Sequence, residues 1–542
     1  MVRRPPLEAN PAIPRVSTGV EGLDDILGGG LPRSHLYLLD GEPGTGKTTV
    51  ALQFLLEGAR NGERGLYITL SESRAELEAV AASHGWSLEG IDIFELAKDG
   101  TRDTDEGYTI FHPAEVELQQ TVDEVLEAVE KQNPMRVAFD SLSEMRLLAR
   151  EPLRFRRQIL SIKQFFMPRD CTVLLLDDKT SPEGDLQLHS LAHGVIVLEH
   201  VALEYGSERR RLQVTKVRGI RFRGGFHDFR IVTGGIKVYP RVLQDEPRVD
   251  VSSDQIKSGL PALDALLGGG VTCGTSTLIT GAAGTGKSVL CTQFARAELA
   301  RGKNVLFYLF DERMSTFRLR TEGLGMSLED ARERNQLQMV QVEPTELSPG
   351  EFASQVVRAV EKEGCSLVII DSLNGYMQSM PEERLLPIQI HELLSFLANN
   401  GVSCVMTLVQ HGIFGHPVDE SMEVSYLADT VILLRYFEVA GSVRQAISVV
   451  KKRSGDHERT IREYRVQRGG LFVGEPLRDF HGVLTGVPSY TGALSPLLDH
   501  GRGANSGDGA GKNAPGRPIA KRDGREPAVH RHGRKRSRKP SR

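Results

Sequence analysis

No run of about 18 consecutive apolar residues occurs in this 542-residue chain, so no membrane-spanning helix is expected. The opening stretch "MVRRPPLEANPAIPRVSTG" carries basic charge but no apolar segment, and so does not read as a secretory signal. Cysteine is sparse and scattered. Cys171, Cys273, Cys291, Cys365 and Cys404 form no CxxC pair, which argues against a disulfide framework or a thiolate metal site. They fit reduced, mostly buried thiols, and together these absences lead us to expect a cytoplasmic protein. What is present supports a large globular body. Hydrophobic residues make up 39% and charged residues 25%. A chain of this length calls for about two to four domains.

The charge is unevenly distributed. Residues 501–542 hold 13 Lys or Arg against 3 Asp or Glu, whereas the rest holds 54 against 68. An acidic body therefore carries a basic tail. That tail is rich in Gly, Pro and Ser and nearly free of large apolar residues, so it is expected to be disordered. A solvated extension and a contact for nucleic acid or an acidic partner are both open to it.

The glycine-rich stretch "GEPGTGKTTV" at 41–50 returns as "GAAGTGKSVL" at 281–290, 240 residues later. The same shift places Gly19 on Gly259, Leu23 on Leu263, Asp24 on Asp264, Gln53-Phe54 on Gln293-Phe294, and Glu72 on Glu312. So long a period indicates a duplicated domain rather than a solenoid. We read an N-terminal segment 1–13, a first copy 14–245, a second copy 246–488 and a tail 489–542.

Inside each copy, strand-like and helix-like segments alternate. "HLYLLDG", "GLYITL", "MRVAFDS" and "CTVLLLDD" read as strands, and "GVIVLEHV", "RRLQVTKVR" and "FRIVTGGIKVY" as later ones. "KTTVALQFLLEGAR", "SRAELEAVAASHG", "VELQQTVDEVLEAVEKQN" and "EPLRFRRQILSIKQFFMP" read as helices. This alternation implies an α/β fold, a mainly parallel sheet flanked by helices.

Each GxxxxGK[ST] run lies between a strand and a helix and matches a phosphate-binding loop. Gly41, Gly44, Thr45 and Gly46, with Gly281, Gly284, Thr285 and Gly286, let the backbone wrap an anion with its N–H groups inward. Lys47 and Lys287 are placed to bridge the β- and γ-phosphates of ATP. Thr48 and Ser288 are placed to offer a hydroxyl to Mg²⁺. Asp140 and Asp371, each closing an apolar strand, are the candidate second metal holders. Glu72 and Glu312, after the strand that follows the loop helix, are candidates to activate water. Glu72 follows Ser71, whereas Glu312 follows Asp311, so the first copy has one carboxylate where the second has two. The copies also differ after the fourth core strand. "LLLDDKT" offers Asp177 and Asp178 where "MTLVQHG" offers Gln410 and His411, either as γ-phosphate sensors or as plain loop.

"STGVEGLDDILGGGLPRSHLYLLDGEPGTGKTT", "AFDSLS", "KVRGIRFRGGFHDFRIVTGGIKVYPR" and "LADTVILLRYFEVAGSVRQAISVVKKRSGDHERTIREYRV" together resemble the KaiC family, duplicated RecA-like P-loop ATPases that include bacterial clock proteins. The resemblance covers residues 14–488. It implies two tandem RecA-like domains, a homohexamer of stacked double rings, ATP at subunit interfaces and slow hydrolysis. In the clock members it further implies serine/threonine autophosphorylation by the second ring and protein signalling partners. Lys216 with Arg218, and Lys451 with Arg453, match the Lys-x-Arg that faces the neighbour's nucleotide in that family. Counting back from Asp429-Thr430 puts Ser425 on the family's acceptor serine. Tyr426 falls on the adjacent threonine position, and Glu420 stands on a further one. Two rival readings stay open: a RecA-like nucleic-acid motor or recombination accessory, and a nucleotide-gated scaffold.

Overall fold

The computed structural model describes residues 13–96, 113–149, 151–179, 186–202, 206–242, 254–378, 386–410, 426–439, 441–483 and 489–490. Its body is built on two nine-stranded sheets, one per sequence repeat. The first contains β1 (Leu36–Gly41), β2 (Gly65–Thr69), β3 (Ile91–Glu95), β4 (Arg136–Asp140), β5 (Thr172–Asp178), β6 (Gly194–Val201), β7 (Arg209–Val217), β8 (Phe226–Val232) and β9 (Gly235–Tyr239). They lie in the order β3-β2-β4-β5-β1-β6-β7-β8-β9. The six strands from β3 to β6 run parallel, and β7, β8 and β9 extend the sheet antiparallel. The second sheet repeats this order with β10 (Ser276–Gly281), β11 (Val305–Leu309), β12 (Leu337–Gln341), β13 (Leu367–Asp371), β14 (Ser403–Val409), β15 (Thr430–Val439), β16 (Ser442–Lys452), β17 (Arg462–Gln467) and β18 (Gly470–Pro476).

Helices cover both faces of each sheet, which the alternation of side chains along a strand makes possible. On β1, Tyr37 and Leu39 pack into one cluster with Val50, Phe54 and Leu55 of α1 (Lys47–Arg60). Leu36 and Leu38 point the other way. They meet Val122 and Val125 of α3 (Pro113–Gln132) and Phe155 and Ile159 of α4 (Pro152–Phe166). Between them in the chain, α2 (Arg74–Ser83) starts at a capping box: Glu76 N–H donates to Ser73 Oγ, and Ser73 N–H donates to Glu76 Oε2. The second repeat follows the same plan. Ile279 faces Leu290 and Phe294 of α5 (Lys287–Ala300). Leu278 faces Phe352 and Val356 of α7 (Pro349–Glu363) and Ile390 of α8 (Leu386–Asn399). The helix α6 (Met314–Gly323) follows β11.

The residues matched by the 240-residue shift do the same work in both copies. Asp24 accepts from Ser17 Oγ at 2.7 Å and Thr18 N at 2.9 Å, and Asp264 accepts from Ser258 N and Oγ at 2.7 and 2.6 Å. Gln53 Nε2 donates to Gly19 O, and Gln293 Nε2 to Ser258 O. Each pair ties the segment before the sheet to the loop or helix behind it.

Three details depart from the sequence reading. "FRIVTGGIKVY" is two strands, β8 and β9, joined by a two-residue turn with Gly234 at φ +97°. β3, a short edge strand, went unread because only Ile91 and Ile93 of its five residues are buried. Within the segment assigned to the tail, Ser489–Tyr490 pairs with Phe480–His481 as a short antiparallel ribbon.

The repeats are joined through the β8–β9 hairpin and its neighbour β7. Asp228 Oδ2 accepts from Gly350 N at 2.7 Å, at the start of α7. Arg230 pairs with Glu351 at 3.2 Å, and Arg209 donates to the carbonyls of Pro344 and Thr345 at 3.1 Å. The same hairpin reaches the first glycine loop, since a Cβ on Gly46 would lie 2.9 Å from Ile231 Cδ1 and 3.0 Å from Ile236 Cδ1.

Candidate functional site

Both glycine loops leave the carboxyl end of the central strand and enter a helix, the place where parallel sheets bind ligands. Gly46 and Gly286 hold φ near +100° and +96°, a region that L side chains rarely adopt. A Cβ on Gly41 or Gly281 would press within 2.7 Å of Leu198 O or 2.3 Å of Leu434 O, so only glycine lets the loop lie against the neighbouring strand. Thr45 Oγ1 donates to Glu42 O at 2.7 Å, and Thr285 Oγ1 to Ala282 O at 2.8 Å, closing each loop.

In the first site Lys47 is buried. Its ammonium donates to Gly41 O at 2.7 Å and Glu42 O at 2.9 Å and pairs with Asp178 Oδ1 at 2.7 Å. Thr48 Oγ1 lies 3.5 Å from Asp140 Oδ2, which also accepts from Tyr67 OH at 2.5 Å. Burial pushes the Asp140 carboxyl up, the Asp178 charge adds to this, and the Tyr67 hydrogen bond and Lys47 oppose it. Glu72 stands at a turn fixed by Thr69, whose Oγ1 donates to Glu72 O and accepts from Glu72 N. Its Oε2 is buried with no hydrogen-bond partner among the described residues. Burial, then the charges of Asp140, Glu76 and Asp178, push the Glu72 carboxyl up to about 7. A carboxyl group poised there can accept a proton near neutrality.

The second site has the same frame with different wiring. Lys287 donates to Gly281 O at 2.9 Å and Ala282 O at 2.8 Å, and burial pulls its ammonium pKa down. Asp371 accepts from Thr407 Oγ1 at 2.5 Å and is hydrogen-bonded to Ser288; burial again raises its carboxyl. Asp311 accepts from Ser372 Oγ. Glu312 is held by both nitrogens of one guanidinium, Arg320 Nη2 to Oε2 at 2.8 Å and Nε to Oε1 at 3.1 Å. Arg320 and Tyr67 gave no signal in the sequence. Arg320 lies eight residues beyond Glu312, and the 240-residue shift places it on Val80.

Strand register corrects one sequence comparison. Gly41 sits opposite Asp178, and Gly281 sits opposite Val409. Asp178 therefore corresponds to Val409 rather than to Gln410 or His411, and only the first site has a carboxylate there. His411, with Glu420 and Ser425, lies outside the described residues.

The Lys-x-Arg pairs stand at the opposite end of each sheet from the loop of their own repeat. Tyr37 pairs with Gly194, which pairs with Val217, so Lys216 and Arg218 flank the start of β1 while Gly41 ends it. Four residues of strand separate these levels, about 13 Å. The second copy is alike: Thr277 pairs with Thr430, which pairs with Lys452. Lys216 Nζ donates to the carbonyls of His189 and Ala192 at 2.5 and 2.7 Å, and Lys451 Nζ to that of Ala428 at 2.7 Å. Arg218 donates to Ser190 O, and Arg453 to Tyr426 O and Asp429 Oδ1.

The donor set suits Mg²⁺. Each site offers a hydroxyl and a strand-end carboxylate, hard oxygen ligands of the kind that hold this ion together with substrate phosphates. Among the described residues no group of three His, Cys, Asp or Glu side chains forms an all-protein cage. Nor is any described helix long and apolar enough to cross a membrane.

A family model described as the KaiC ATPase matches residues 16–242 and 256–478. The chain is 26% identical over 492 residues to the circadian clock oscillator protein KaiC of Parathermosynechococcus lividus, covering 88% of each chain. It is 26% identical over 506 residues to the circadian clock protein KaiC3 of Synechocystis sp., covering 90% of this chain and 98% of the relative. Against KaiC of Synechococcus elongatus it is 26% identical over 489 residues, covering 88% and 92%.

Proposed function

The chain belongs to the KaiC family of ATPases, and from that premise we propose that both repeats bind ATP with Mg²⁺ and hydrolyse it slowly in a cytoplasmic homohexamer, with residues 14–245 and 246–488 as its two functional units. We further propose that the second repeat transfers phosphate to Ser425, and that the cycle serves signalling or timing through partner proteins.

One observation carries the reading. Each repeat gathers a loop lysine, a hydroxyl and a strand-end aspartate at one end of the sheet, and carries Lys-x-Arg, its arginine exposed, about 13 Å away at the other. Arginine supplied from a neighbour stabilises charge on a transferring phosphoryl group. Arg218 and Arg453 are out of reach of their own loops, so a head-to-tail ring brings the two halves together.

In the first site Lys47 neutralises the β- and γ-phosphates, and Thr48 and Asp140 would hold Mg²⁺, which would supply further positive charge against the phosphates. Glu72 takes a proton from water as its oxygen bonds to the γ-phosphorus, and the bond to the β–γ bridging oxygen breaks to release ADP. In the second site Lys287, Ser288 and Asp371 take the matching parts. Asp311 and Glu312 are the carboxylates available to accept a proton from water or from a serine hydroxyl.

Sizing with and without ATP and Mg²⁺ tests assembly, and intact-mass measurement after ATP incubation tests phosphotransfer. A strict monomer in both conditions refutes the ring. An unchanged mass refutes the kinase and leaves the ATPase.

A further inference from the structure

A lysine ammonium has three N–H donors. In the first site all three are engaged: two on the carbonyls of Gly41 and Glu42, the third on Asp178 Oδ1 at 2.7 Å. In the second site Lys287 keeps the two matching carbonyl bonds, and Val409 occupies the place of Asp178. Its third donor meets no acceptor among the described residues, so an arriving phosphate finds it available. Asp178 is itself anchored, since it accepts from Ser143 Oγ at 3.0 Å.

The surrounding charge sharpens the contrast. Lys47 stands with Glu72, Asp140 and Asp178, and the Asp178 charge is felt at both of the other carboxylates. In the second site Asp311 and Asp371 are felt at Lys287, and Glu312 is neutralised by Arg320. A phosphate entering the first site must take Lys47 from a carboxylate that stays close by, and like charges around one ammonium repel.

We propose that Asp178 is a built-in counter-ion that competes with nucleotide for Lys47, so that the first repeat takes up nucleotide more weakly than it would with the second repeat's valine. The proposal rests on the reading that both loops bind nucleotide.

The test uses the full chain in two backgrounds, Lys287→Ala to leave the first site and Lys47→Ala to leave the second. Each is titrated with a fluorescent ADP analogue in the presence of Mg²⁺. Adding Asp178→Val to the first background should lower Kd by about tenfold or more, the scale of one partly buried ion pair. Adding Val409→Asp to the second should raise Kd by a similar factor. Asp178→Asn keeps the side-chain shape and should act as Asp178→Val does, which guards against a folding defect in the valine variant. Unchanged or weaker binding by both Asp178 variants overturns the proposal, as does a loss of turnover with no change in Kd, which would make Asp178 a group that positions water. If Lys47→Ala and Lys287→Ala leave stoichiometric nucleotide binding intact, the underlying assignment of the loops fails instead.

Discussion

Glu312 and Arg320 form a two-pronged ion pair, with both carboxylate oxygens of Glu312 engaged at 2.8 and 3.1 Å. Its counterpart Glu72 has no such partner, because Val80 stands where Arg320 would be. Protonation would remove the charge that makes these two hydrogen bonds strong. Arg320→Val should therefore raise hydrolysis by the second site several-fold. Single-turnover ATPase measured in the Lys47→Ala background checks this, and a fall would make Arg320 a group that orients Glu312 for chemistry.

First-site hydrolysis should rise with pH through about 7, because Glu72 must be unprotonated to act as a base and its carboxyl titrates at about 7. Glu72→Gln should keep nucleotide binding, slow turnover by about 10²–10⁴-fold and remove that limb of the profile. The pH–rate profile in the Lys287→Ala background is the measurement.

The same residue should affect stability with a defined sign. Its ordinary value is 4.5 and its folded value about 7, so the folded state holds the proton more tightly than the unfolded state. Stability linked to this group is fully present below 4.5 and is lost as pH rises through 7. Glu72→Gln, neutral throughout, should raise the melting temperature at pH 8.5 by about 1–2 °C and change little at pH 5. Equal melting temperatures at pH 8.5 would show that the orphaned oxygen is solvated in solution.

Subunits should complement one another. Arg218→Ala should reduce first-site hydrolysis more than nucleotide binding, since an arginine supplied from a neighbour acts chiefly on the charge of the transferring phosphoryl group. The defect should lie in the neighbour's site, because Arg218 lies at the far end of the sheet from its own loop. Mixing it with Lys47→Ala subunits should restore part of the lost activity, because some interfaces then pair an intact loop with an intact arginine. Mixed oligomers no more active than the parents would refute a shared site.

Arg136 is fully buried beneath α1. It pairs with Glu63 at 2.5 Å and donates to the carbonyls of Ser17 and Phe54, each at 2.8 Å. Arg136→Ala leaves Glu63 with Arg33 as its remaining partner, but it takes a donor from the carbonyls of Ser17 and Phe54 and opens a void, and should cost about 2–4 kcal/mol. Thermal or denaturant unfolding should show an earlier first transition with the second unchanged.

Much of this was legible from one internal comparison. The 240-residue shift picked out Asp24, Gln53 and the glycine loop because those residues make backbone contacts that both copies need. Strand–helix alternation marked the parallel part of each sheet, where buried strands read as continuous apolar runs. The β8–β9 hairpin was read as one strand because Thr233-Gly234 interrupts "FRIVTGGIKVY" without a polar cluster. The Asp178–Val409 correspondence was missed for a different reason: the spacing between the copies drifts beyond the glycine loops, and only pairing with β1 and β10 fixes the register. Arg320 was invisible because an ion pair spanning a turn and a helix leaves no periodic trace.

The β8–β9 hairpin is a party wall. Ile231 of β8 and Ile236 of β9 pack under Gly46 at one end, while Asp228 and Arg230 of β8 hold the first residues of α7 in the other repeat. A close-packed wall does not yield on one side alone. The first glycine loop and the foot of a helix in the second repeat thus share one support, so a substitution that thins the wall beneath Gly46 is felt at the start of α7 as well.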